Sequence, residues 1–177
     1  MNKLRSIAQW IFLPSISGPR DILLVRLLAG GVFLSEGLLK FVYKNQGVGR
    51  FTKLGLPLPE LSANFIGCLE IVGGLLLITG LMTRAIAIPF IIEMIVALLA
   101  TKVSLYLGTS PLPLPSSPPT TGVWAVLHES RSDYAQLLCC TFLLSSGSGS
   151  WSLDAYVRTW IETRRSRAHA RPQSQAA

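Results

Sequence analysis

ILLVRLLAGGVFLSEGLLKF, running from Ile22 to Phe41, decides the fold. A helix of about 20 mostly apolar residues matches the roughly 30 Å of hydrocarbon in a bilayer. Outward from this stretch, comparable runs cover Ala63 to Leu81 and Ala85 to Val103. A weaker one covers about Tyr134 to Ser150, ending in the small polar tract Ser145-Ser146-Gly147-Ser148-Gly149-Ser150. Such a tract suits close helix packing better than lipid contact, so this run is expected to start earlier, near Glu129, and to lie against its neighbours. Backbone groups in lipid must be satisfied internally, and no strand-like alternation is present. The expectation is an all-α membrane protein, a bundle of four transmembrane helices.

Composition agrees. Half of the 177 residues are hydrophobic and 14% are charged, more apolar surface than a soluble domain of this size buries. The formal net charge of +7 comes from residues flanking apolar runs and from the tail, which fits anionic lipid headgroups; the interleaved aromatic pattern of a nucleic-acid surface is missing, and no nucleic-acid partner is expected. The chain divides into an N-terminal interfacial segment at residues 1–20, a four-helix membrane domain at 21–154 and a basic tail at 155–177. Lys3, Arg5 and the apolar stretch to Leu13 superficially imitate a signal peptide, but Pro14 ends the stretch without a cleavage signature.

The connections are informative. Leu54-Gly55-Leu56-Pro57-Leu58-Pro59 reads as a turn or half-embedded loop. Met82, Thr83 and Arg84 alone join the second and third spans, which must form an antiparallel hairpin. Residues 107–122 contain Pro111, Pro113, Pro115, Pro118 and Pro119, a density that predicts an extended or irregular loop. With both termini and the hairpin on one side, that side holds nine Lys and Arg and the other six. The excess predicts that both termini are cytoplasmic.

Ionisable residues inside a span are costly and are read as interior, paired or functional. Glu36 and Glu70 lie about 8 and 10 Å from the outer ends of their antiparallel helices, on one side of the membrane, at 1.5 Å of rise per residue. Lys40 follows Glu36 by four residues and can pair with it; Lys102 lies at the same boundary, and Gly67 and Gly74 let another helix approach the Glu70 face. A cluster of Glu36, Lys40, Glu70 and Lys102 is therefore the candidate ligand-binding or proton-relay site. At the opposite end Arg26, Arg84 and Asp154 form a candidate ion-pair cluster. Glu93 lies between the layers without a sequence-local partner. For each cluster a purely structural role, holding the bundle in register, stands beside the functional one.

Several chemistries are not encoded. There is no Ser/His/Asp set, Walker loop, dinucleotide fingerprint or HExxH, so catalytic residues are unassigned. His128 and His169 lie outside the clear spans, which removes a bis-His haem in the bundle. Cys68, Cys139 and Cys140 show no metal-ligand spacing and read as small buried hydrophobes, the vicinal pair being open to a strained redox disulfide. No metal or covalent cofactor is expected.

The order of motifs from about Asp21 to Asp154 resembles the DoxX family of small bacterial four-span membrane proteins. The resemblance is carried by Arg26-Leu27 with Gly30, Glu36-Gly37 with Lys40-Phe41, Phe51 and Leu54-Gly55-Leu56-Pro57. It continues through Glu70, Gly73-Gly74, Gly80, Thr83-Arg84, Gly147, Gly149 and Ser152-Leu153-Asp154. The resemblance implies a helical bundle in the bacterial inner membrane and an association with redox chemistry, since some relatives look like membrane subunits of thiosulfate:quinone oxidoreductase or partners of thiol-stress enzymes. The chain departs in its proline-rich third loop and in having Thr101-Lys102 where many relatives have a histidine. The function so implied is a membrane subunit, auxiliary rather than self-sufficient, in a quinone-linked or thiol-linked redox assembly. It binds a small hydrophobic or anionic ligand, with quinone as the candidate ligand and a redox enzyme, membrane lipids and a second copy of the chain as candidate partners. The alternatives are a non-catalytic protein that binds or transports a small solute, and a structural scaffold.

Overall fold

The computed structural model describes residue 6, residues 10–12 and residues 18–170, the backbone alone for 165 and 167–170. Every regular element among the described residues is helical. In chain order these are α1 (Ile22–Val42), α2 (Val48–Lys53), α3 (Pro59–Thr79), α4 (Thr83–Leu107), α5 (Gly122–Glu129), α6 (Arg131–Ser146) and α7 (Leu153–Ala170). Helices α1, α3 and α4 are each long and apolar enough to cross a membrane. The chain is an all-α membrane protein whose bundle is completed by α6. The interfacial segment expected at residues 1–20 lies mostly outside the described residues.

Backbone alone explains the tightest contact. Helices α1 and α3 run antiparallel, and a Cβ added at Gly30 would stand 2.7 Å from the Gly74 carbonyl oxygen, while one added at Gly74 would stand 2.8 Å from that of Gly30. Further along, a Cβ at Gly37 would meet the Glu70 Cβ at 2.9 Å and one at Gly67 the Phe41 ring at 2.7 Å. Without an aqueous hydrophobic force to drive association in lipid, such small-residue faces let helices gain dispersion contact at short range. The second tight pair is α4 with α6, and the two pairs meet where Phe33 of α1 stacks on Phe90 of α4, with ring centroids 3.7 Å apart. Gly73 leaves the room for that Phe90 ring.

Local chemistry sets the ends. Pro59 occupies the first turn of α3, where a missing N–H costs nothing. Gly80 closes the helix in the left-handed conformation at φ 71°, with Leu81 N–H donating to the Leu76 carbonyl and Gly80 N–H to that of Leu77. This is the Schellman arrangement, and it turns the chain straight into α4. Pro89 sits inside α4 and cannot donate to the carbonyl of Ala85, four residues back.

The linker after α1 turns at residues 54–58, as its sequence predicts, and ahead of that turn it contains a short helix, α2, packed on α3. One boundary needs correction. The run expected over 134–150 forms α6 over Arg131–Ser146, separated from α5 by a break at Ser130, whose hydroxyl donates to the Val126 carbonyl. Positive φ at Gly147 (81°) and Gly149 (73°) ends the helix and turns the serine-glycine tract into a loop. The proline-rich stretch from Gly108 to Thr121 is irregular, as its composition predicts.

Candidate functional site

Glu70 lies midway along α3 and only 2% of its surface is exposed. Lys40, in the last turn of α1, reaches it directly: Nζ stands 2.6 Å from Oε2 and donates to Oε1 at 2.7 Å. The close approach allowed by Gly37 and Gly67 brings the two helices within reach of this pair. Lys40 was expected to pair with Glu36 on its own helix. It pairs instead across the seam, because Glu36 is exposed while Glu70 has no water to solvate its charge.

Glu93 of α4 completes the array. It faces the same space as Glu70. Among the described residues, Oε2 of Glu93 is buried without a hydrogen-bond partner, as is Oε1 of Gln136 on α6, a residue only 5% exposed. Lys102 joins the same region by pairing with Asp133 at the start of α6, Nζ to Oδ2 3.2 Å.

These groups border one cavity of about 580 Å³. Glu36, Lys40, Glu70, Glu93 and Gln136 lie along one part of its wall, and Phe33, Phe51, Phe65, Leu69 and Met94 supply apolar surface. Space exists because α4 presents a face spaced three and four residues apart, Pro89, Glu93, Val96, Ala97, Ala100 and Thr101, in which Ala97 and Ala100 fill little volume. The four residues singled out from the sequence, Glu36, Lys40, Glu70 and Lys102, all border the cavity. Sequence reasoning missed Asp133 and Gln136 and left Glu93 without a role. For Glu93 the signal was that α4 face of small residues, which continues directly from it.

The opposite end of the bundle is built differently. Arg26, 2% exposed, donates from Nε to the Leu77 carbonyl (3.0 Å), from Nη2 to Ile78 (3.0 Å) and from Nη1 to both Ser148 and Trp151 (2.7 Å each). Arg84 donates to the carbonyls of Trp10 (3.0 Å) and Ser145 (2.9 Å) and lies over the Trp10 ring. Asp154 accepts from the Met82 N–H at 3.1 Å through Oδ1. The expected ion-pair cluster of Arg26, Arg84 and Asp154 is therefore replaced by a lock on backbone carbonyls; among the described residues no ion pair joins these three. The physical reason is that helix ends and the glycine loop leave carbonyl oxygens unpaired where no water reaches.

This arginine lock, the glycine seam and the Lys40–Glu70 pair fall on the sequence positions that carry the motif order. The DoxX family model matches residues 22–103. Over 151 residues the chain is 40% identical to the membrane protein Rv3486 of Mycobacterium tuberculosis, covering 82% of this chain and 86% of that one. The chain belongs to the DoxX family. This DoxX protein is also 28% identical over 135 residues to CatD of Bacillus subtilis, which is provisionally named an oxidoreductase, covering 76% of this chain and 85% of that one. No solved structure matches it significantly.

The remaining candidates of this DoxX chain take simpler places. Cys140 is buried in the core and Cys139 half-buried, whereas Cys68 is exposed, on the α3 face turned away from the bundle; all three are free thiols. The expectation of burial thus fails for Cys68, and the vicinal pair is not a disulfide. His128 is exposed on α5 between Glu129 and Arg131. Among the described residues no three His, Cys, Asp or Glu converge to hold a metal.

Proposed function

We propose that this DoxX protein is a membrane subunit of a quinone-linked or thiol-linked redox assembly, and that its cavity binds a small hydrophobic ligand and passes it a proton. The observation that carries this reading is the buried Lys40–Glu70 pair, with Glu93 beside it, on the wall of an otherwise largely apolar cavity. A buried ion pair placed only for stability gains nothing from adjoining a cavity and is often no better than apolar packing. The protein is placed in the bacterial inner membrane, both termini cytoplasmic, on the Lys and Arg excess.

A quinone fits the residues present: about 580 Å³ lies within the range of small-molecule sites, Phe33, Phe51 and Met94 offer apolar walls, and Glu93, whose Oε2 is buried without a partner among the described residues, offers a group that can carry a proton to a carbonyl oxygen. Such a ligand, when bound, would supply two-electron redox chemistry. In this reading Glu93 carries the proton to be passed, Lys40 balances the charge of Glu70, and the surrounding apolar side chains limit the access of bulk water. Electrons come from a partner enzyme in this reading, supported by the oxidoreductase name of the CatD relative.

The test compares melting temperature with retention of decylubiquinone for Glu36→Gln, Glu70→Gln and Glu93→Gln in mild detergent. Variants that fold normally but lose the probe support a ligand site. Early melting without any selective change in binding replaces it with the scaffold reading. Introduced cysteines at Ser117 and Gln175, in a background without native cysteine, should label from opposite sides, Gln175 from the cytoplasm; labelling of both from one side rejects the topology.

A further inference from the structure

Beside the main cavity lies a second of about 330 Å³, and the two share Gln46, Arg50, Thr101, Lys102 and Glu129. Their characters are opposite. The inner cavity has mainly apolar walls, while the outer one is bounded by Asn45, Arg50, Lys53 and Ser110 and closed by the proline-rich loop at Leu112 to Pro115. Lys102 is neutralised by Asp133, and Glu129 is engaged with His128. Arg50 is half-buried on α2, and neither it nor Lys53 has an acidic partner within 4 Å among the described residues.

A guanidinium withdrawn partly from water and left without a carboxylate gains from an anion, and its planar fork matches the oxygens of a carboxylate, sulfonate or phosphate. Proline in the facing loop fixes the opening before any ligand arrives, which lowers the entropy lost on binding. The shared lining makes the two cavities neighbours, so an occupant of both has an apolar body and a charged end.

We propose that the two cavities form one site for an amphiphilic organic anion, its apolar body in the inner cavity and its single negative group on Arg50 and Lys53 at the mouth. The assignment rests on the reading of the inner cavity as a ligand site and adds the ligand's chemical class. The anion can belong to a membrane amphiphile, such as a fatty acid or lysophosphatidate, or to a soluble aromatic acid.

The experiment uses the full-length protein in nanodiscs of zwitterionic lipid, with empty nanodiscs subtracted. Binding of 1-naphthalenesulfonate, 1-naphthol and inorganic phosphate is measured by equilibrium dialysis. The sulfonate should bind at least tenfold more tightly than the naphthol. Arg50→Gln should lose roughly tenfold or more of the sulfonate affinity, the size of one charge-assisted hydrogen bond, and leave naphthol binding unchanged. Equal affinity for the two naphthalenes overturns the anion site while sparing the inner cavity. Failure of both to bind overturns the inner cavity as well, and phosphate that competes fully with the sulfonate overturns the need for an apolar body. Should Arg50→Gln not fold, Lys53→Gln and the wild-type preference carry the same decision. Native mass spectrometry separates the sources: an anionic lipid retained from the membrane and displaced by the sulfonate points to the membrane, and a site empty of lipid points to a soluble acid.

Discussion

The two ends of the bundle handle buried charge in opposite ways. Near the Gly80 turn, Arg26 spends its donors on four backbone carbonyls in a space closed so tightly that a Cβ at Gly80 would lie 2.6 Å from the guanidinium carbon. At the α2 end, Lys40 pairs with Glu70, and both border about 580 Å³ of open volume together with Glu93. Charge alone therefore does not mark a site in a membrane bundle. What separates the two ends is whether the partners are backbone, which cannot respond, or other titratable side chains next to space.

The largest effect that would break this comparison is expected from Arg26→Met. Several carbonyls lose a charged donor, and at about 1.5–3 kcal/mol per such bond the loss should exceed about 3 kcal/mol and deplete folded protein in detergent. Arg26→Lys should recover only a minor part, because an ammonium lacks the planar fork that reaches carbonyls on two sides. Circular-dichroism melting checks this, and a melting temperature within two or three degrees of wild type would refute the lock.

Next in size is the glycine seam between the ends. Gly74→Val should cost about 1–3 kcal/mol by forcing α1 and α3 apart, whereas Gly31→Ala, where an added Cβ meets nothing within 4 Å, should be neutral. Equal melting temperatures for the two variants would show that the seam is not tight.

A smaller effect sharpens the contrast. A double-mutant cycle on Lys40→Met and Glu70→Gln should give a coupling of about 1–3 kcal/mol, as for contacting buried groups. The matching cycle on Arg26→Met and Asp154→Asn should give less, since no ion pair joins them. Couplings in the reverse order would exchange the roles assigned to the two ends.

The smallest effect concerns α7, whose exposed Tyr156, Val157, Trp160 and Ile161 accompany Arg164 stacked over Trp160, the guanidinium 3.9 Å from the ring centre. A peptide of residues 153–170 should gain helix on vesicles with anionic lipid, worth about 1 kcal/mol per basic residue at the surface, and release in high salt. A peptide that stays unstructured on those vesicles would leave the tail without a membrane role; Arg171, also read as part of this segment, lies outside the described residues.

The three long spans were legible because a run of some twenty apolar residues has few other physical solutions, and the Gly80 turn because so few residues separate two such runs. The depth of Glu36 and Glu70 was legible for the same reason, rise per residue being fixed in a helix. Pairing was not. Lys40 chose Glu70, thirty positions away, over Glu36 on its own face, since the choice depends on which carboxylate loses its water. Glu93 and Gln136 come to border one cavity only after α4 and α6 pack, and no local pattern announces that. The serine-glycine tract at 145–150 was read as helix on composition, although its worth lies in a loop whose Ser148 carbonyl receives Arg26.

The glycine seam has a consequence for motion. Helices brought to backbone contact at Gly30 and Gly74 have little side-chain cushion between them, so α1 and α3 form one close-packed plate carrying Lys40 and Glu70. Glu93 and Gln136 ride on the other plate, α4 with α6, and the plates touch each other far less than each touches within itself. A displacement of the second plate against the first would change the separation of Glu70 and Glu93 while leaving Lys40–Glu70 intact. The cavity wall is divided between the two plates, so a shift of one against the other changes its width.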